Sequence, residues 1–190
     1  MSKAVLISIR PKWCERIANG EKTIEVRKTK PKLETPFKCY IYCTLPKYPH
    51  EDFIATDYPM PQFYGGGKVI GEFTCERIVP ITYDGGRLWC PTNAAFSPTT
   101  CLSQAEIIAY IGDKGRCYGW HISNLKIYDA PKKLGEFWRD CLEYSELSTN
   151  CWSCENVCGD GDETDCNTDG RLYFHRPPQS WCYVEAMKDG

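Results

Sequence analysis

Residues 6–28 read LISIRPKWCERIANGEKTIEVRK. Three signals follow one another in this stretch. The apolar run AVLISI, residues 4–9, is the length of a buried strand. Pro11 suits the first turn of a helix, and Asn19-Gly20 is a strong helix stop. Trp13, Cys14 and Ile17 give that helix its apolar stripe. The segment Thr23–Lys28 then alternates with period two, so Ile24 and Val26 share one face and Thr23, Glu25 and Arg27 the other. Three polar side chains cannot enter an apolar core without a large desolvation cost. Read from the residues alone, this polar face is either solvated or the lining of a pocket.

Working outward, 38–44 reads as a strand and 68–83 as a long strand bent near Gly71. Residues 103–112 read as a helix opened by a Ser103/Glu106 capping box. Residues 117–128 read as a strand, 134–146 (LGEFWRDCLEYSE) as a helix, and the last twenty as strands interrupted by Pro177-Pro178. Helices do not alternate with every strand, which disfavours a doubly wound sheet and predicts an α+β fold built on a mixed β-barrel with flanking helices. The expected organisation is a barrel over 1–145, a Cys-rich insertion or appendage over 146–170, and a closing strand over 171–190 packed on the barrel.

The 190 residues are 42% apolar, enough for a real core, and no run approaches membrane-spanning length. AVLISI is too short for a signal peptide, so a cytoplasmic location and no membrane partner are expected. The net charge is −2, but residues 1–50 carry a surplus of +7 and the remainder −9. That asymmetry points to a basic face in the N-terminal part, or to a solvated charge block. Most of the 13 cysteines are scattered singly, several of them inside apolar runs, where a thiol packs as a small hydrophobe. Cys151, Cys154, Cys158 and Cys166 alone form a cluster. Four thiolates would complete a structural zinc site, with a redox pair or disulfides as the alternatives.

The combination LISIRPKWCERIANGEKTIEVRK resembles the N-terminal signature of the ASCH family of the PUA-like superfamily. That signature is a strand ending Ser-x-Lys/Arg-Pro, a helix ending x-x-Gly-x-Lys, then x-x-Glu-x-Arg on the next strand. KVIGEFTCERI, 68–78, is similar to the family's central Gly-containing strand, and YGWHISNLKIYDAPKKLGEF, 118–137, to its later strand and exit. RPPQSWCYVE, 176–185, is similar to the ending of phage and prophage members. The resemblance implies a PUA-like barrel whose cleft binds RNA or a nucleoside or nucleotide, lined by Ser8, Arg10, Lys22, Glu25 and Arg27.

Some relatives are amidohydrolases on acylated cytidine, and others have been considered ribonucleases. A hydrolase reading would make Lys22 and Glu25 the catalytic pair. Here Glu25 stands where the amidohydrolases carry threonine, and SPTTCLSQ, before the second helix, lacks their glutamate. Binding is therefore the expectation, with hydrolysis as the alternative. A third reading is a phage-encoded protein-interaction module whose partner contacts the Cys-rich segment.

Overall fold

The computed structural model describes residues 2–45, 66–84, 86–91, 99–140 and 171–187. Their order is β1 (Lys3–Ile9), α1 (Pro11–Ala18), β2 (Ile24–Arg27), β3 (Phe37–Cys43), β4 (Lys68–Asp84), β5 (Arg87–Trp89), α2 (Gln104–Ile111), β6 (Arg116–Lys133), β7 (Trp138–Asp140), β8 (Arg171–Tyr173) and β9 (Trp181–Glu185). The main sheet runs β2-β6-β4-β3-β1-β9, with β5 paired to β4, and β7 and β8 form a separate ribbon. β1 and β3 are parallel, whereas β9 pairs antiparallel with β1. The fold is α+β and mixed, as the element pattern predicts.

β1 shows why its sequence is apolar without alternation. Val5, Ile7 and Ile9 pack on one face with Cys14 and Ile17 of α1, Phe73 of β4 and Trp120 of β6. Ala4 and Leu6 pack on the other with Tyr40, Phe137 and Val184. A strand covered on both faces needs apolar residues at every position. A third cluster seats Ile107 and Ile111 of α2 on Val26, Val79, Ile81 and Cys117. α2 opens with both halves of the capping box, Ser103 Oγ accepting from the Glu106 N–H and the Glu106 carboxylate accepting from the Ser103 N–H.

Two expectations are corrected. The barrel is not closed: β2 and β9 are the two ends of the sheet path, with no backbone ladder between them among the described residues. Side chains cross that seam instead. Trp181 Nε1 donates to Thr29 Oγ1 at 3.0 Å, and the Lys32 N–H donates to the Tyr183 hydroxyl at 2.7 Å. β2 is only four residues long, and Pro177 and Pro178 bring no N–H to the approach to β9, so a ladder has little to build on.

The described part of the expected 134–146 helix is not an α-helix. Residues Leu134–Glu136 make one 3-10 turn and β7 follows. Phe137 is buried edge-on against Tyr40, and β7 pairs with β8, so tertiary partners override the helical pattern. Residues 141–146, like the whole 146–170 segment, lie outside the described residues.

The scattered cysteines do behave as core residues. Cys14, Cys39, Cys43, Cys75 and Cys117 are buried. Burial pushes the thiols of Cys75, Cys117 and Cys182 up to about 12. In the unfolded chain they ionise near 9.0, so at high pH the native state holds protons that the unfolded state has lost. Stability should be level from roughly pH 7 to 8 and fall as pH rises from about 9 toward 12. Denaturant titrations across that range check it, and Cys75→Ala should flatten the slope.

Gly71 marks the closest backbone approach in the sheet. A Cβ there would lie 2.5 Å from the Lys126 carbonyl oxygen and 3.1 Å from Ile127 Cα. Both obstacles are backbone, so Gly71→Ala should cost about 1–3 kcal/mol. An unchanged urea midpoint would show that β6 moves aside freely.

A buried charge cluster as the candidate functional site

Gly20, at φ 75°, takes the left-handed conformation that ends α1. The chain then turns back, and the Lys22 N–H donates to the Arg16 carbonyl at 2.9 Å. The N–H groups of Thr23 and Ile24 both donate to the Thr99 carbonyl, at 2.9 and 3.0 Å. This docks residues 99–100 at the head of β2 and sets the Thr100 carbonyl 2.6 Å from Lys22 Nζ.

β2 then sorts its side chains by face. Val26 points to the α2 cluster. Glu25 stands opposite Trp120, and Arg27 opposite Tyr118, toward the inside of the curled sheet. Glu25 lies between two cations: Oε2 is 3.4 Å from Lys22 Nζ and Oε1 is 2.9 Å from Arg27 Nη2. Arg27 Nη2 also donates to the Ser8 carbonyl at 2.6 Å, and Nη1 to the Ser180 hydroxyl at 3.4 Å. Ser8 Oγ donates to the Pro178 carbonyl at 2.6 Å. The alternating polar face is thus neither solvated nor apolar. It is an internal ion network joining β1, β2, residues 99–100 and the approach to β9.

The network is almost sealed, with Lys22 2%, Glu25 5%, Ser8 7% and Arg27 8% exposed. Two cations against one carboxylate leave a net buried charge of +1. Neutral carbonyl oxygens at Thr100 and Ser8 offset part of it. Two donors on this side are left over. Arg27 Nε and Trp120 Nε1 are buried and have no hydrogen-bond partner among the described residues. Trp13 adds a ring 5.2 Å from Lys22 Nζ.

Four of the five sequence-predicted residues, Ser8, Lys22, Glu25 and Arg27, therefore meet. Arg10 does not: it is exposed at the N-cap of α1, where its carbonyl accepts from the Trp13 and Cys14 N–H groups. Thr23 is exposed at the entrance of β2. An open recess of about 360 Å³ lies elsewhere, lined by Lys3, Glu34, Phe37, Lys38 and Met187, and contains none of the five.

Thr99, Thr100 and Ser180 were not visible as site residues in the sequence. Thr99 and Thr100 act through backbone carbonyls, which any residue supplies. The only hint of Ser180 is a hydroxyl directly before the Trp181 strand. Trp120 is a core residue, fully buried and edge-on to Phe37. His121 is partly buried and its basicity is lowered, first by desolvation and then by Arg77. Cys151, Cys154, Cys158 and Cys166 lie outside the described residues. Among the described residues no group of three or more His, Cys, Asp or Glu is arranged to hold a metal. No helix among them is long and apolar enough to cross a membrane.

The chain is thus an open, curled mixed sheet with two short helices and an N-terminal β-α-β unit, an α+β fold. Solved structures that share this fold include those of an ASCH protein from Zymomonas mobilis. The crystal structure of that protein has a TM-score of 0.53 and 17% identity, covering 96% of this chain and 87% of its own. A tyrosine-to-phenylalanine variant of it gives 0.54 at 16% identity over 97% and 91%. At this identity the likeness shows the fold, and it agrees with the resemblance carried by residues 6–28. No protein-family profile and no curated protein matches the chain.

Removing one partner of a buried ion network leaves the others uncompensated. Glu25→Gln should therefore cost about 3–5 kcal/mol, because Lys22 and Arg27 would face each other without a counter-charge. In a double-mutant cycle with Arg27→Gln the losses should be strongly non-additive. Additive losses in urea denaturation would show that the two side chains do not share their energy.

Proposed function

We propose that the chain binds RNA or a nucleotide at the cationic side of the Lys22–Glu25–Arg27 network. One observation carries this reading. The network holds a surplus positive charge together with two buried donors, Arg27 Nε and Trp120 Nε1, that have no acceptor among the described residues. Buried donors gain from an acceptor, and an oxygen of a bound ligand would supply one. Phosphate oxygens and nucleobase carbonyls are acceptors of the right sign, and arginine suits phosphate especially well. The +7 surplus over residues 1–50 adds long-range attraction for the same class of ligand. The ASCH-type fold supports the same reading by analogy alone.

Binding is favoured over hydrolysis by the bonding of Lys22. Its ammonium already donates to the Thr100 carbonyl and lies against Glu25. A group so held is a donor, whereas a general base must offer a lone pair. Glu25 faces two cations and serves as their counter-ion. The interaction-module reading rests on the Cys-rich segment, outside the described residues.

The test is fluorescence anisotropy with a labelled eight-nucleotide single-stranded RNA, alongside calorimetry with cytidine and uridine monophosphates. Arg27→Lys keeps the charge and removes the planar fork, so affinity should fall roughly tenfold or more. Binding of the RNA should also weaken as salt rises, because phosphate contacts release counter-ions. Circular dichroism identifies any variant that has lost its fold. No binding of either probe by the wild-type chain would overturn the proposal, as would equal binding by a folded Arg27→Lys variant. Lys22-dependent release of acid from an acylated cytidine would instead establish the hydrolase.

A further inference from the structure

The sheet face that carries Glu25 and Arg27 does not stop at the buried network. Its rows can be followed outward by register. Ile78, Trp120 and Glu25 form one row across β4, β6 and β2. Pro80, Tyr118 and Arg27 form the next. Thr82 then stands opposite Arg116 on β6 and opposite Trp89 on β5, which makes the third row. Directly opposed residues point to the same side of a sheet, so all three rows share one face. The opposite face belongs to α2, which covers Val79, Ile81 and Cys117.

This face opens as it runs outward. Trp120 is fully buried, Tyr118 is half-buried, and Trp89 is 57% exposed. Pro80 and Arg116 are exposed as well. Among the described residues Trp89 is one of three large apolar side chains left in solvent, and it has a cation two strands away in its own row. Lys30 Nζ lies 5.8 Å from the Tyr118 ring centroid, which places a second cation beside the other aromatic. Arg87 is also on this face, opposite Asp84, which offsets its charge.

We infer that this strip is a stacking platform for single-stranded RNA, leading from the buried network to Trp89. The inference rests on the RNA-binding reading above and names its substrate as an extended strand of at least two or three nucleotides rather than a free nucleotide. Strand spacing and rise put Tyr118 and Trp89 about 12 Å apart. Aromatic residues on the open sheets of other RNA-binding domains stack two or three bases in this manner. Bases stack on Tyr118 and Trp89, while Arg116 and Lys30 take the phosphates between them. A base arriving at Tyr118 displaces the Lys30 ammonium from the ring. An exposed cation–π contact is weaker than base stacking, so the exchange favours the base and frees the lysine for a phosphate. A duplex does not fit this scheme, because its bases are already stacked on one another.

The experiment compares Trp89→Ala and Tyr118→Leu with the wild-type chain. Leucine keeps apolar bulk at the half-buried Tyr118, and Trp89 is exposed enough to lose its ring without unfolding. The probes are a labelled eight-nucleotide single-stranded RNA, the same sequence as a duplex, cytidine monophosphate, and polyglutamate as a charge-only competitor. Each variant should bind the single strand about tenfold more weakly, and Trp89→Ala, remote from the Arg27 network, should bind the mononucleotide as the wild type does. The duplex and polyglutamate should compete poorly. Variants that bind the single strand as tightly as the wild type would overturn the inference, and so would competition by duplex or polyglutamate equal to that of the single strand. If binding depends on Arg27 but not on Trp89 or Tyr118, only this inference fails. If the wild-type chain binds no RNA or nucleotide at all, the reading beneath it fails too.

Discussion

The bond set around Arg27 is the constraint on which the rest of the structure depends. The sheet curls until β2 and β9 face each other, yet no ladder joins them. One guanidinium reaches across, donating to the Ser8 carbonyl on β1 and to Ser180 before β9. Glu25 holds that guanidinium in place and Lys22 holds Glu25. An apolar side chain in the same place would fill volume but could not tie two strand edges through their carbonyls. The curl therefore requires a planar multi-donor group, and that group requires a counter-ion. Both requirements are met within six residues of sequence.

This arrangement explains how a strand of four residues can be buried on both faces. One face is apolar and receives α2 through Val26. The other is ionic and faces the interior. The two faces place different demands on neighbouring residues. Gly119, opposite Val26, is tightly packed: a Cβ there would lie 3.0 Å from Ile24 Cγ2, so its neighbours would have to give way. On the ionic side the full-sized Trp120 stands opposite Glu25. Two successive residues of β6, Gly119 and Trp120, thus carry the smallest side chain and the largest.

What could be read from the sequence follows the range of the interactions involved. The β1-α1-β2 unit was legible because proline, Asn-Gly and the two periodicities act within a few residues. The capping box of α2 was legible for the same reason. The identity of the charged residues was legible, but their burial was not. Period two says only that Glu25 and Arg27 share a face, and the acceptors that make burial tolerable sit at Thr100, Ser8 and Ser180. The missing ladder was illegible because it depends on two edges that are distant in sequence. Residues 134–140 were misread because Phe137 packs on Tyr40 and β7 pairs with β8, contacts that no local window contains. β5 was hidden by its length, three residues that become a strand only beside β4.

The pairing of Ser8 with Pro178, 170 positions apart, has a consequence for the order of events in biosynthesis. Strands β1, β3, β4 and β6 are synthesised before the approach to β9 and can pair ahead of it. Until then Arg27 lacks Ser180 and one edge of β1 lacks its partner. The nascent chain would carry an open strand edge beside an incompletely coordinated cation, and such edges invite pairing with other chains. The hydrated guanidinium also works against premature closure, since it gives up water only when protein acceptors replace it. The same residue that fastens the finished sheet would thus keep the unfinished one apart.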